Sequence, residues 1–295
     1  MKKFFIFPGI LVVLFLVLFA GSMPAFAGPW QWRMYLKMEE VESAPLNKPT
    51  ALFTDKSSGR YYIVDSGNNR LVSFDKNGKF INEFNAEGEL RVPFDMVRDA
   101  NGRLLVVEKE KNTITTIDVR NKQLKRHVIS HNGTKIFPDR IEIEGDTVYL
   151  LDKACGDVLA LDSDLNVKKR FGCTNCKYGF TDFKVRKGTV WALERERKTV
   201  YQFHKNGDPV TKIRLNKAID FPCSLAVGPA GLIYILDRHQ GVVSVFDGKG
   251  REKYNFLTSG HTRGQLYYPA EIRFDSWERL CVVEEGNGRI QIFTR

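Results

Sequence analysis

An acidic residue closing a short apolar run recurs six times along this 295-residue chain, and its spacing limits the fold more than any other feature. The marks are Asp65 (after YYIV), Glu108 (LLVV), Asp152 (VYLL), Glu194 (VWAL), Asp237 (IYIL) and Glu284 (LCVV), at intervals of 43, 44, 42, 43 and 47 residues. A second strand-like run ends ten residues after each mark, at Asp75, Asp118, Asp162, His204, Asp247 and Thr294. A strand-opening proline precedes five of them, Pro49, Pro93, Pro138, Pro222 and Pro269, with Gly179 in the fourth place. β-Branched and aromatic runs punctuated by Gly, Asn and Asp read as strands and hairpins. A period near 43 residues holding four such strands is that of a propeller blade.

The fullest copy is Tyr61–Asp75, two strands (Tyr61–Val64 and Leu71–Phe74) around a turn of Asp65 to Asn69. In the second unit the four strands are predicted at Phe94–Arg98, Leu104–Val107, Thr113–Ile117 and Leu124–Ile129, from the channel outward. Six marks predict an all-β, six-bladed β-propeller. The sixth unit has no outer strand left before Arg295, and Gln31–Lys37 stands where one is needed. Pairing that N-terminal strand with the last hairpin closes the ring and removes two sheet edges.

Residues 1–27 read as a signal peptide. Lys2 and Lys3 precede the apolar run Ile10–Ala20, and Ala25-Phe26-Ala27 offers small residues for cleavage before Gly28. An uncleaved anchor is the alternative, since Phe4–Ala20 is nearly long enough to span a bilayer. Cleavage leaves residues 28–295, an exported, periplasmic or extracellular propeller with no stable membrane span. Its formal charge falls from +10 to +8 when Lys2 and Lys3 are removed, which favours anionic surfaces without naming one.

The segment Asp65-Ser-Gly-Asn-Asn-Arg70-Leu followed by the Phe74-Asp75-x-x-Gly78 turn resembles the NHL repeat, and the sixth unit (Glu284, Asn287, Arg289) is similar. Units two to four depart from it, with EKEKN, DKACG and ERERK in place of the Asn-Arg pair. The resemblance spans residues 29–295. It implies the propeller fold, and an ion pair between Asp65 and Arg70, but no single function, because such propellers bind proteins, bind RNA or act as enzymes.

Function then has to come from sites. The turns between second and third strands share one face of the disc, the upper face, with the connections between blades. Four of the five cysteines, Cys155, Cys173, Cys176 and Cys223, fall there. In an exported chain these predict a disulfide, with Cys155 bridging neighbouring blades to Cys173 or Cys176; zinc on the CxxC is the alternative. Cys281 alternates with Val282 inside a strand and reads as a buried thiol. At the channel, Ala51, Asp95, Asp139, Asp182, Ser224 and Glu271 are expected to line the wall. Its four carboxylates either cap the backbone of the next blade or hold a cation. The family resemblance implies calcium in lactonase-like propellers, or zinc on three histidines, here His131, His239 and His261, in amidating-lyase-like ones. Upper-face basic residues sit beside acidic strand ends, and an exported chain meets little RNA, so no nucleic-acid partner is expected. The expected role is a binding or scaffold module for another protein or an extracytoplasmic polymer. Tyr178, Arg195, Arg197, His239, His261, Arg263 and Tyr267 are the candidate contacts. The alternative is a metal-dependent hydrolase or lyase working at the channel mouth.

Overall fold

Six four-stranded antiparallel sheets form the ring of a computed structural model that describes residues 29–38, 44–121, 123–173 and 176–295. The expected leader lies outside those residues. Each of the first five blades runs consecutively from the channel outward; the first is Pro49–Asp55, Arg60–Asp65, Arg70–Asp75 and Phe80–Phe84. Blade 2 is Pro93–Arg98, Leu104–Glu108, Thr113–Asp118 and Gln123–His127. Its outer strand therefore stops two residues short of the predicted end, and Ile129 turns instead into the core between blades 2 and 3.

Blade 6 is closed as expected from the sequence. Gln31–Leu36 is its outermost strand, antiparallel to Arg289–Thr294, with Gln31 opposite Thr294 and Leu36 opposite Ile290. Trp30, just before it, is buried against Tyr234, Phe256 and Phe274. Each gap between neighbouring blades holds its own apolar cluster, for example Leu36, Ile292, Leu52, Ile63 and Phe74 between blades 6 and 1. Alternation along each strand sends one set of side chains to each neighbour, so the ring is held by six interfaces and no single centre.

The acidic marks fasten the upper turns. Asp65 lies opposite Arg70, accepts a hydrogen bond from its Nε at 2.6 Å, and takes the Asn47 amide at 2.7 Å; both side chains are buried. Glu284 repeats the pairing with Arg289 at 2.8 Å. Where the Asn-Arg pair is missing, the carboxylate keeps the backbone half of the task. Glu108 binds the Arg91 amide, Asp152 the Phe137 amide, and Asp237 the Asp220 amide, at 2.6, 3.0 and 2.7 Å. One close approach requires glycine on both sides: Gly156 and Gly179, with φ of 70° and 65°, pack backbone to backbone and let the blade 3 turn dock on the connection to blade 4.

Candidate functional site

The inner strands set which residues meet at the channel. The residue opposite the one before each acidic mark is Ala51, Asp95, Asp182, Ser224 and Glu271 in blades 1, 2, 4, 5 and 6. In blade 3 the irregularity that follows the opening proline in blades 1, 2, 5 and 6 recurs between Pro138 and Ile141, and Arg140, two residues after Pro138, takes that place. The expectation of Asp139 on the channel wall is thus corrected: Asp139 stands one residue after the proline, not two, and turns to the rim, where it pairs with Lys109. Arg140 reaches across the channel to the Thr50 and Ala270 carbonyls.

The wall side chains link each blade to the next. Asp95 accepts from the Ile141 amide, Asp182 from Leu225, Ser224 from Ile272 and Glu271 from Leu52, at 2.9 to 3.1 Å. The second oxygens of Asp182 and Glu271 face buried cations. Lys184 Nζ lies 3.1 Å from Glu271 and 3.4 Å from both Asp182 and Glu142. Arg273 spans Glu142 at 3.2 Å and Glu271 at 3.3 Å, and Arg140 approaches Asp95 at 4.0 Å. Buried like charges cost heavily unless paired, so three cations among four carboxylates hold the axis together. Burial raises the Glu271 carboxyl, yet Lys184, Arg273 and Arg140 together with the Leu52 amide bring it down to about 2. Burial and the Glu271 charge push Asp95 up to about 7 against the pull of Arg140 and Lys184.

These residues do not fit the calcium that a lactonase-like propeller would hold. Calcium asks for six to eight oxygen ligands. Here Lys184 sits between the carboxylates, Arg273 and Arg140 take further oxygens, and Asp139 is elsewhere. The histidine alternative is also corrected. His131 bonds Asn132, His239 stacks on Phe221 with ring centres 4.5 Å apart, and His261 bonds Asn287 at 2.8 Å, each in its own loop. Among the described residues no three His, Cys, Asp or Glu side chains group as metal ligands.

Above the sealed axis a cleft of about 590 Å³ opens on the upper face, over blades 1 to 3. Val92, Phe94, Phe137 and Pro138 give it an apolar surface, and Lys48, Lys109 and Lys153 edge it with cations. The Arg140 guanidinium lies 4.7 Å from the Phe94 ring centre. Lys109 Nζ sits 4.3 Å from the same ring and 3.3 Å from the Pro138 carbonyl. Burial, then Lys153 and Arg140, push its ammonium down to about 7, while contact with the Asp139 carboxylate favours the charge. Lys48 and Lys153 are exposed.

The contacts expected from the sequence lie elsewhere on that face, over blades 4 to 6. Tyr178 is 59% exposed beneath Lys177. Arg195 covers Phe221 at 4.3 Å beside His239, and Arg197 is exposed. His261 packs on Tyr267 at 4.4 Å, and Arg263 covers Trp32 at 5.1 Å. Several of these side chains are therefore spent on one another. Cys173 bonds Cys176, so the disulfide closes within the CxxC and does not tie blade 3 to blade 4; Cys155, Cys223 and Cys281 are thiols. The expected bridge from Cys155 is replaced by the Gly156–Gly179 contact and by a hydrogen bond from the Phe180 amide to the Gly156 carbonyl at 2.7 Å. Cleft residues were visible in the sequence only as members of a basic rim. The sharper signal was an aromatic beside the strand-opening proline in two successive blades, Phe94 and Phe137.

No family model matches the chain. A peptidyl-glycine alpha-amidating monooxygenase B from Xenopus laevis is 23% identical over 224 residues, 72% of this chain, and the chain spans only 22% of that relative's length. Among solved structures, a streptogramin B lyase superposes with a TM-score of 0.64 at 11% identity, covering 90% of this chain and 97% of its own. The virginiamycin B lyase of Staphylococcus aureus gives 0.62 at 13% identity, over 84% and 80%. A gluconolactonase of Xanthomonas campestris gives 0.62 at 14%, over 90% and 97%. At these identities the likeness establishes the six-bladed propeller fold.

Proposed function

We propose that this chain is an exported propeller that acts as a binding module, holding a partner protein or an extracytoplasmic polymer on its upper face. The observation that carries the reading is the cleft over blades 1 to 3. It has the volume of a ligand site and an apolar surface with a few placed charges. Export rests on the leader read from the sequence.

The second reading is metal-dependent hydrolysis or lysis at the channel mouth, favoured by the lyases and lactonase among the fold's neighbours. Against it stands the donor set, whose carboxylate oxygens are already matched to Lys184, Arg273 and Arg140. Two measurements separate these. A photo-crosslinking residue placed at Phe137, in the cell that makes the protein, is expected to capture a discrete partner, whereas one at Ile81 in the outer strand of blade 1 is not. Equal capture at both positions, or none at Phe137, overturns the binding reading. One stoichiometric calcium or zinc ion in the purified protein, lost with Asp182→Asn, revives the enzyme.

A further inference from the structure

We infer that the occupant of the cleft is a short acidic peptide segment that carries one large apolar side chain. The inference rests on the binding reading above and names its ligand class. Three features of the cleft select that chemistry together.

Charge comes first. Lys48 comes from the connection into blade 1, Lys109 and Lys153 from the upper turns of blades 2 and 3, and all three border one opening. The ammonium groups of Lys48 and Lys153 make no hydrogen bond or ion pair with another described residue, so they are available to an incoming carboxylate. Rim charges of this kind steer an anion and strengthen its hold.

The apolar surface comes next. Val92 and Phe137 are 38% and 37% exposed, unusually open for their size, and both line this cleft. Phe94 lies deeper, with Lys109 and Arg140 over its ring. A ligand made only of charged groups would leave these surfaces uncovered. A buried Phe or Leu side chain would cover them, as anchors do at the centre of peptide sites.

Third, the cleft is not uniformly positive. Asp139 touches Lys109, and Glu285, held by Arg238, closes another edge. A continuous polyanion such as polyphosphate would meet both carboxylates. A peptide offers acids with neutral backbone between them, and Asn112 and Ser66 on the wall can bond that backbone. The volume admits a few residues, not a folded domain.

The test uses a fluorescein-labelled acidic hexapeptide with one central phenylalanine and the purified exported protein, read by anisotropy at low and moderate salt. Saturable binding that weakens with salt is expected. Replacing the phenylalanine by serine, or the acids by lysines, should each weaken it roughly tenfold or more. Lys153→Met should weaken it about fivefold and flatten the salt dependence, with an unchanged melting temperature because Lys153 is exposed. Phe137→Ser is the second variant, and should remove the advantage of phenylalanine over serine. Tighter binding of polyphosphate than of the peptide, or indifference to both Lys153→Met and Phe137→Ser, overturns the inference. If Phe137 captures a partner in the cell while the acidic peptide does not bind, the ligand class is wrong and the binding module stands. If Phe137 captures nothing, the reading beneath it falls.

Discussion

Replacing Lys184 by Met tests the sealed axis most directly. The ammonium is buried among Glu271, Asp182 and Glu142 at 3.1 to 3.4 Å. Methionine has a similar length and no charge, so the change leaves four acids with Arg140 and Arg273 alone. Holding the Glu271 carboxyl at about 2 instead of 4.5 corresponds to about 3 kcal/mol, shared by Lys184, Arg273, Arg140 and the Leu52 amide against burial. Removing one member of a buried ionic set typically costs about 3–5 kcal/mol. For a chain of this size, 3 kcal/mol lowers the melting temperature by about 6–12 °C at neutral pH. The pH profile adds a signature. Glu271 titrates lower in the folded state than its ordinary 4.5, so its contribution is present above about 4.5 and fades as pH falls toward about 2. Asp95 titrates higher, at about 7 against 3.8, so its contribution is full below about 3.8 and is lost as pH rises through 7. The two contributions together should therefore be greatest between about 4 and 5. Without Lys184 the Glu271 carboxyl rises, and the deficit of the variant should be largest near pH 7 and shrink toward pH 3. Differential scanning calorimetry across that range decides it. A variant as stable as wild type at pH 7, or a deficit that grows in acid, would show that Lys184 does not hold the axis.

Asp65→Ala should destabilise by about 3–5 kcal/mol in chemical denaturation, because it leaves Arg70 buried and strips the Asn47 amide of its acceptor. Asp65→Ala with Arg70→Leu should recover part of that loss. Deleting residues 28–36 should unravel blade 6, since Trp30 and Leu36 each bury about 2–3 kcal/mol of apolar surface; size-exclusion chromatography should show association through the bared Arg289–Thr294 edge. Thiol titration of the unfolded, unreduced protein should count three thiols. In the folded protein Cys155 is the exposed one, but burial and the Asp152 carboxylate hold it at about 11. Its alkylation near neutral pH should run on the order of a hundredfold slower than that of an ordinary cysteine.

The fold was legible because it is written in repetition. A six-fold alternation of apolar strands, acidic strand ends and prolines admits few other architectures, and the short sixth unit told where the first strand must go. The channel position is periodic as well, falling two residues after the opening proline in blades 1, 2, 5 and 6. At the start of blade 3, Pro138 is followed by Asp139 and Arg140, and an eye tracking carboxylates aligns the first of them with Asp95 and Glu271. The irregularity after the proline that blade 3 shares with blades 1, 2, 5 and 6 puts the second there. That single step moves a carboxylate off the axis, brings a guanidinium onto it and exchanges a cation site for an ion plug.

The same step bears on why the proposed cleft and the contacts expected from the sequence lie over different blades of one face. Loop residues draw notice by rarity, so histidines, tyrosines and cysteines over blades 4 to 6 stood out, while lysines did not. Rarity does not measure availability. His239 and Arg195 are stacked on Phe221, and Arg289 is bound to Glu284 and to the His261 and Thr262 carbonyls. Over blades 1 to 3 the balance differs because Arg140 has left the rim for the channel, where it binds Thr50 and Ala270, and Asp139 has come up in its place to occupy Lys109. Lys48 and Lys153 are left facing solvent around an apolar surface on which Val92 and Phe137 stay partly open. The Asp139-Arg140 pair after Pro138 thus puts a guanidinium in the channel and a carboxylate beside Lys109 on the rim. Substituting Arg140 by Leu should disturb channel and cleft at once: it should uncouple blade 3 from blades 1 and 6 and remove the cation beside Phe94. A variant that lost stability while keeping peptide affinity would separate the two roles and place the cleft's affinity in the lysines alone.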